Sequence, residues 1–222
     1  MMCPVHLLRV VIADRPGSLG ALATALGRAE ADIVGLDVIE RRDDGSVVDD
    51  ILVDLPHGRM PDALVSACNS VEGARVEYVR YYPHHGGLQR DLQLVEAMTQ
   101  DPSRTDAVLV DLAPDVFRAD WALILERHAD GRLELLHGSR AAPEELLGVT
   151  APWLPVTRAQ QLPDPNQWAP SWGETAAAAV TIGGPTIVLV LGRRGGPEFL
   201  GSELARLGHL VNLARAIRSG SD

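Results

Sequence analysis

The chain has 222 residues with 46% hydrophobic content and a formal net charge of −10. That is enough chain for one large domain or two small ones, and its composition is that of a globular protein. All 20 basic residues are arginine. Without lysine there is no P-loop phosphate lysine, no Schiff-base or pyridoxal lysine and no kinase strand lysine. The acidic balance lacks a compensating basic cluster, which argues against nucleic acid as a partner. No apolar run approaches the ~18 residues of a membrane span, and no basic-then-apolar leader opens the sequence, so no membrane partner is expected. Two cysteines, Cys3 and Cys68, form neither a disulfide framework nor a zinc site, which fits a reducing cytoplasm.

In chain order, Val5–Ala13 is a β-rich apolar run that ends in Asp14-Arg15-Pro16-Gly17-Ser18-Leu19. A helical pattern follows, with Leu19, Leu22 and Leu26 on one stripe. Pro16 fixes φ and Gly17 permits a tight turn. The first N–H groups of such a helix are free to hold a small anion such as a carboxylate. Ile33–Glu40 reads as a second strand, Asp44-Gly45 as a hairpin turn and Val47–Leu55 as a third strand. Pro61 opens a helix whose expected apolar stripe is Met60, Leu64, Ala67 and Val71. Arg75–Tyr81 closes the set as a fourth strand, and the order βαββαβ is the ferredoxin-like split motif. Pro83-His84-His85-Gly86-Gly87 then breaks the pattern. The expected organisation is a domain over residues 1–82, a linker over 83–87 and a second domain over 88–222.

The second half starts with Leu88, Leu92, Val95 and Met98 at helical spacing. A helix around Asp106–Phe117 precedes strands Trp121–Arg127 and Leu133–His137. Residues 139–175 are proline-rich and irregular, and they hold Trp153, Trp168 and Trp172. Strands Ala176–Ile182 and Thr186–Leu191 and a helix from about Ser202 to Arg218 finish the chain. The fold class expected is therefore α+β.

With the turn in that place within βαββαβ, and Ala31-Asp32-Ile33 at the start of strand two, residues 5–82 resemble an ACT domain. The resemblance implies an amino acid bound at the interface of two such domains in a homodimer. It places ligand binding on Asp14, Arg15, Pro16, Gly17, Ser18 and Leu19, with the N–H groups of Gly17, Ser18 and Leu19 on the ligand carboxylate. Asp32 would come from the partner chain, and Asp14 or Asp32 would take the ligand's ammonium. Ile12 stands where serine-binding members often have histidine. Two other readings stay open: Asp14 as a helix cap, and the domain as a dimerisation module without ligand.

The order of elements over residues 88–218, with Gly195-Gly196-Pro197-Glu198-Phe199-Leu200-Gly201-Ser202-Glu203-Leu204 leading to the last helix, is similar to a GAF domain. That implies an antiparallel sheet with flanking helices and an irregular lid over a small-molecule cup. Trp153, Trp168 and Trp172 would wall such a pocket, or staple the loop to the sheet. Gly192-Arg193-Arg194-Gly195-Gly196 reads either as a cationic anion nest or as a plain strand-to-helix loop. No hydrolase elbow, dinucleotide fingerprint or zinc signature is present. The expectation is a regulatory, allosteric protein that is not an enzyme, has no cofactor or metal, and acts on an unidentified protein target.

Overall fold

A computed structural model describes residues 5–56, 58–81, 88–144, 146 and 149–220. The expected linker 83–87 and Cys3 lie outside the described residues. The chain divides into two compact units, Met1–Gly87 and Leu88–Asp222, and its architecture is α+β, with two antiparallel sheets and flanking helices.

In the first unit β1 (Val5–Ala13), α1 (Ser18–Arg28), β2 (Asp32–Arg41), β3 (Ser46–Asp54), α2 (Asp62–Asn69) and β4 (Arg75–Tyr81) follow in turn. The sheet order is β2-β3-β1-β4, with each neighbouring pair antiparallel. Strand alternation sends Leu8, Val10 and Ile12 of β1 and Val47, Ile51 and Val53 of β3 to one face. There they pack with Leu22 and Leu26 of α1 and with Leu64 and Cys68 of α2. Two expected apolar stripes are corrected. Leu19 and Met60 are exposed, because each sits at the first turn or just before it, where the helix has not yet closed over the sheet. Cys68 replaces Met60 on the inner stripe, and burial pushes its thiol up to about 11, so it carries no reactive thiolate at neutral pH.

The opposite face of β1 and β3 is buried as well. Val5, Leu7 and Leu52 cluster there, and Arg9 donates from Nε and Nη2 to the two carboxylate oxygens of Asp50, each at 2.8 Å. Both side chains are almost wholly buried. The planar guanidinium fork satisfies both oxygens at once, which is what a carboxylate removed from water requires.

The second unit comprises α3 (Leu88–Gln100), α4 (Thr105–Phe117), β5 (Trp121–Arg127), β6 (Leu133–Gly138), β7 (Gln160–Gln161), β8 (Thr175–Thr181), β9 (Ile187–Arg194) and α5 (Gly201–Ser219). The sheet runs β6-β5-β9-β8-β7, antiparallel throughout. The two-residue edge strand β7 carries no periodicity in the sequence; it pairs with Ala178 and Ala179, and Gln161 Oε1 accepts from the Phe199 N–H at 3.0 Å.

Alternation again divides the sheet residues. Ala122, Ile124, Ala178, Val180, Leu189 and Leu191 meet the three helices, while Leu123, Leu125, Ala177, Ala179, Val188 and Val190 meet the tryptophans. Among the described residues of α3 the buried apolar side chains are Leu94 and Met98, Arg90 is buried beside them in sequence, and the expected Leu92 is exposed. Arginines of α5 tie the helices: Arg206 pairs with Asp91 and Arg218 with Asp106.

Trp168 is the centre of the second core. Its ring meets Trp153 and Trp172 edge-on at 5.2 and 5.1 Å, and its indole N–H donates to the Pro163 carbonyl at 2.9 Å. All four tryptophans lie in this unit and all three tyrosines in the other, so emission excited selectively at tryptophan reports on this unit. Trp168→Ala is expected to lower its stability by about 3–5 kcal/mol, the usual loss for deleting a buried aromatic. Urea unfolding followed by tryptophan emission checks this, and a loss well under 1 kcal/mol would mean the ring is not a core element.

Candidate functional site

The chain leaves β1 through a hydrogen-bonded turn. Asp14 N–H donates to the Gly45 carbonyl, Arg15 N–H to the Ala13 carbonyl, and Ser18 N–H to the Arg15 carbonyl. Gly17 is the N-cap of α1 with φ +93°, a left-handed conformation that an L side chain adopts only with strain. A Cβ at Gly17 would have no atom within 4 Å, so the glycine is required by the backbone angle and not by crowding. The first intrahelical bond is Ala21 N–H to the Gly17 carbonyl. No side chain caps the helix, which removes the expectation that Asp14 does so.

Among the described residues no acceptor takes the N–H of Gly17, Leu19 or Gly20. Ser18 differs from expectation, since its N–H is already committed within the turn. The donors at this helix start are therefore Gly17, Leu19 and Gly20. Arg15, Pro16, Gly17 and Leu19 are exposed, so the donors open to solvent.

Asp14 is exposed and lies 3.6 Å from the Arg41 guanidinium, at the far end of β2. Asp32 opens β2 and pairs in register with Asp54. The ten residues of β2 separate Asp32 from Arg41, a span of roughly 30 Å at ~3.3 Å per residue. Asp14 and Asp32 of one chain are thus at opposite ends of the sheet and do not converge on one small molecule.

A further acidic residue of the first unit is Asp49, whose neighbour Asp50 points to the other face of the sheet and meets Arg9. Asp49 pairs in register with Val10 of β1 and Val38 of β2, so it lies on the sheet face that carries α1. It is only 3% exposed, and its Oδ1 is buried without a hydrogen-bond partner. Burial raises its pKa above the ordinary carboxylate value, and the Asp50 and Asp14 charges raise it further, against a smaller opposing effect of Arg41. The signal available in the sequence was a carboxylate on the apolar alternation of β3, between Val47 and Ile51.

In the second unit, Trp153, Trp168 and Trp172 come together, and Trp121 joins them, its ring 4.8 Å from that of Trp172. They face one another and the sheet. A Cβ on Gly192 would fall 2.1 Å from the Trp121 ring, so that ring lies directly on the strand backbone. Two open cavities, of about 610 Å³ beside Gln160 and His209 and about 380 Å³ beside Asp164 and Glu174, are lined by none of these tryptophans. The Arg193 loop is likewise not an anion nest. Arg193 is buried, pairs with Glu203, donates to the Phe117 carbonyl at 2.6 Å and lies 3.9 Å above the Phe199 ring. Among the described residues no group of three or more metal-ligating side chains converges, and no helix is long and apolar enough to cross a membrane.

No family model and no curated protein matches the chain. Several solved structures do. A GAF domain described as that of a sensor histidine kinase from Pseudomonas syringae pv. tomato is 18% identical, with TM-score 0.44, over 60% of this chain and 88% of its own. The GAF domain of an Acinetobacter phosphoenolpyruvate-protein phosphotransferase is 14% identical, with TM-score 0.43, over 62% and 96%. A protein described as a glycine cleavage system transcriptional repressor is 10% identical, with TM-score 0.31, over 100% and 94%. Likenesses at this level carry no functional assignment.

Asp49 has a consequence for stability. Its folded pKa lies above its unfolded value, so the native state binds more protons between the two, and stability falls as pH rises through that window. Asp49→Asn is therefore expected to raise the melting temperature at pH 7. The gain should shrink as pH falls toward the ordinary carboxylate range. Thermal melts of both proteins, run from the ordinary carboxylate range up to neutral pH, check this; a variant less stable at pH 7 would contradict it.

Proposed function

We propose that the first unit senses a free amino acid, whose carboxylate docks on the N–H groups of Gly17, Leu19 and Gly20. The observation that carries this reading is the solvent-open start of α1, where three backbone donors stand without an acceptor at a glycine held at φ +93°. The helix dipole adds a favourable field for an anion at the same place. In this reading Asp14, Arg15, Pro16 and Ser18 shape the turn, and Asp32 reaches the ligand from a second copy of the chain. The second copy is needed because Asp32 stands at the opposite end of β2 from Asp14. The second unit, with its tryptophan-filled core, serves as a further sensory or dimerising element. The protein is regulatory, without catalysis or cofactor, in the cytoplasm, and acts through an unidentified protein target.

A screen of the twenty amino acids by thermal shift, followed by calorimetry, tests the reading. A ligand at 100 times its Kd should stabilise the protein by about 2.7 kcal/mol. Gly17→Val should abolish binding and leave a folded protein, because the new side chain meets no neighbour and only strains the backbone by about 1–2 kcal/mol. No shift with any amino acid at millimolar concentration, or unchanged affinity in a folded Gly17→Val protein, would defeat it.

A second reading, assembly without ligand, is favoured by one observation. The edge strand β2 exposes Val34, Leu36 and Val38, with Val38 at 54% exposure. An unpaired apolar edge is suited to pairing with a second copy. Val38→Lys should then shift the protein from dimer to monomer in sedimentation velocity while its circular dichroism stays native. A wild-type protein that sediments as a monomer would remove both the dimer and the role of Asp32.

A further inference from the structure

We infer that the open cavity between the β7 edge and α5 binds a small aromatic carboxylate, and that this is the ligand site of the second unit. The inference goes beyond the amino-acid reading and does not rest on it. The cavity holds about 610 Å³, the size of a small-molecule site. Of the chain's 30 acidic residues none lines it, whereas Arg158 and His209 do. Neither has an ion-pair or hydrogen-bond partner among the described residues. The smaller cavity, which shares Gln161 with it, is lined by Asp164, Glu174 and Glu198 and by no basic residue. In a chain of net charge −10 the larger cavity is therefore a local reversal of sign, and it favours an anion where the protein as a whole repels one.

The polar lining donates. Gln161 Oε1 accepts the Phe199 N–H at 3.0 Å, which leaves its amide NH2 as the free end. Gln160 on β7 and Asn212 on α5 add further amide donors. The planar fork of Arg158 can hold both oxygens of one carboxylate, as Arg9 holds those of Asp50. One guanidinium balances one negative charge, which favours a monocarboxylate over a more highly charged phosphate ester. The apolar lining sets the shape of the rest of the ligand. Gly208 stands inside α5, where glycine weakens a helix relative to alanine. Packing does not ask for it, since a Cβ there would meet only the Ala159 Cβ, at 3.9 Å, an ordinary contact. What the missing side chain leaves is room in the cavity. Ala159, Ala205 and Gly208 carry nothing larger than a methyl group, and against such a wall a flat ring makes closer contact than a bulky aliphatic body.

Calorimetry on the full chain with phenylacetate and cinnamate tests the site. Both acids are expected to bind at millimolar concentration. Phenylacetamide, which keeps the ring and lacks the charge, should bind about ten- to hundred-fold more weakly than phenylacetate, the worth of a charge-assisted hydrogen bond. Arg158→Gln should weaken both acids by a similar factor. Gly208→Leu should abolish their binding while the melting temperature holds or rises, because a better helix former replaces glycine at a position with room. If Gly208→Leu does not fold, Arg158→Gln, at an exposed position, decides in its place. No binding of either acid to wild type, equal affinity for phenylacetate and its amide, or unchanged affinity in a folded variant overturns the site. So does a Gly208→Leu protein that falls from dimer to monomer in sedimentation velocity, since the groove then holds a second copy of the chain. Each of these failures leaves the amino-acid reading standing, because its donors lie in the other unit.

Discussion

Two adjacent carboxylates on a β-strand cannot share a face. That period-two constraint sends Asp50 to the helix-free side of the first sheet and Asp49 to the side that carries the helices. On its side Asp50 finds the Arg9 fork, and both oxygens are satisfied inside a cluster of Val5, Leu7 and Leu52. On the other side β1 contributes Val10 and β2 contributes Val38, neither of whose side chains can donate a hydrogen bond. The same geometry that completes one ion pair leaves a carboxylate oxygen, Asp49 Oδ1, without a hydrogen-bond partner one residue away. Buried pairs of this kind contribute little net stability against an apolar alternative, yet removing one partner is strongly destabilising.

Arginine performs this duty in both units, and the absence of lysine makes the pattern plain. Arg193 in the second unit joins Glu203, the Phe117 carbonyl and the Phe199 ring, and Glu203 also accepts the Leu200 N–H at 2.9 Å at the start of α5. One guanidinium so fixes how β9 hands over to the last helix. A compact ammonium with three donors could not reproduce that planar, many-partner arrangement. The cost is that Arg193 has no freedom to bind a diffusing anion, although its Gly-rich flanks suggest one in the sequence.

Elements with a strong period were legible in the sequence: the four strands and two helices of the first unit and the longer strands and helices of the second. Their ends were less so. Leu19 and Met60 fit a helical stripe by spacing, but spacing does not say where the helix first covers the sheet. Strand β7, only Gln160 and Gln161, has no period to read, because it is defined by its pairing with β8. The site was half legible. Gly17 announced itself by chemistry, since a left-handed N-cap favours glycine. The commitment of the Ser18 N–H within the turn did not, because such a bond is a matter of geometry and not of residue type.

The tryptophans show the converse case, a sequence feature suggesting a site where packing uses the material. An irregular segment of prolines and large aromatics above a sheet is what a ligand cup needs, but it is also what a cup needs to be filled. Ala177 and Ala179 on β8 and Gly192 on β9 are small where the rings lie, and the edge-on contacts near 5 Å leave the indoles facing one another. Small strand residues opposite large loop residues keep the volume of a core constant. The contrast with the first unit is one of compensation. There, backbone donors at the start of α1 are left without acceptors and open to solvent. Unmet donors at an open surface are better evidence of a binding site than aromatic lining whose rings already meet each other.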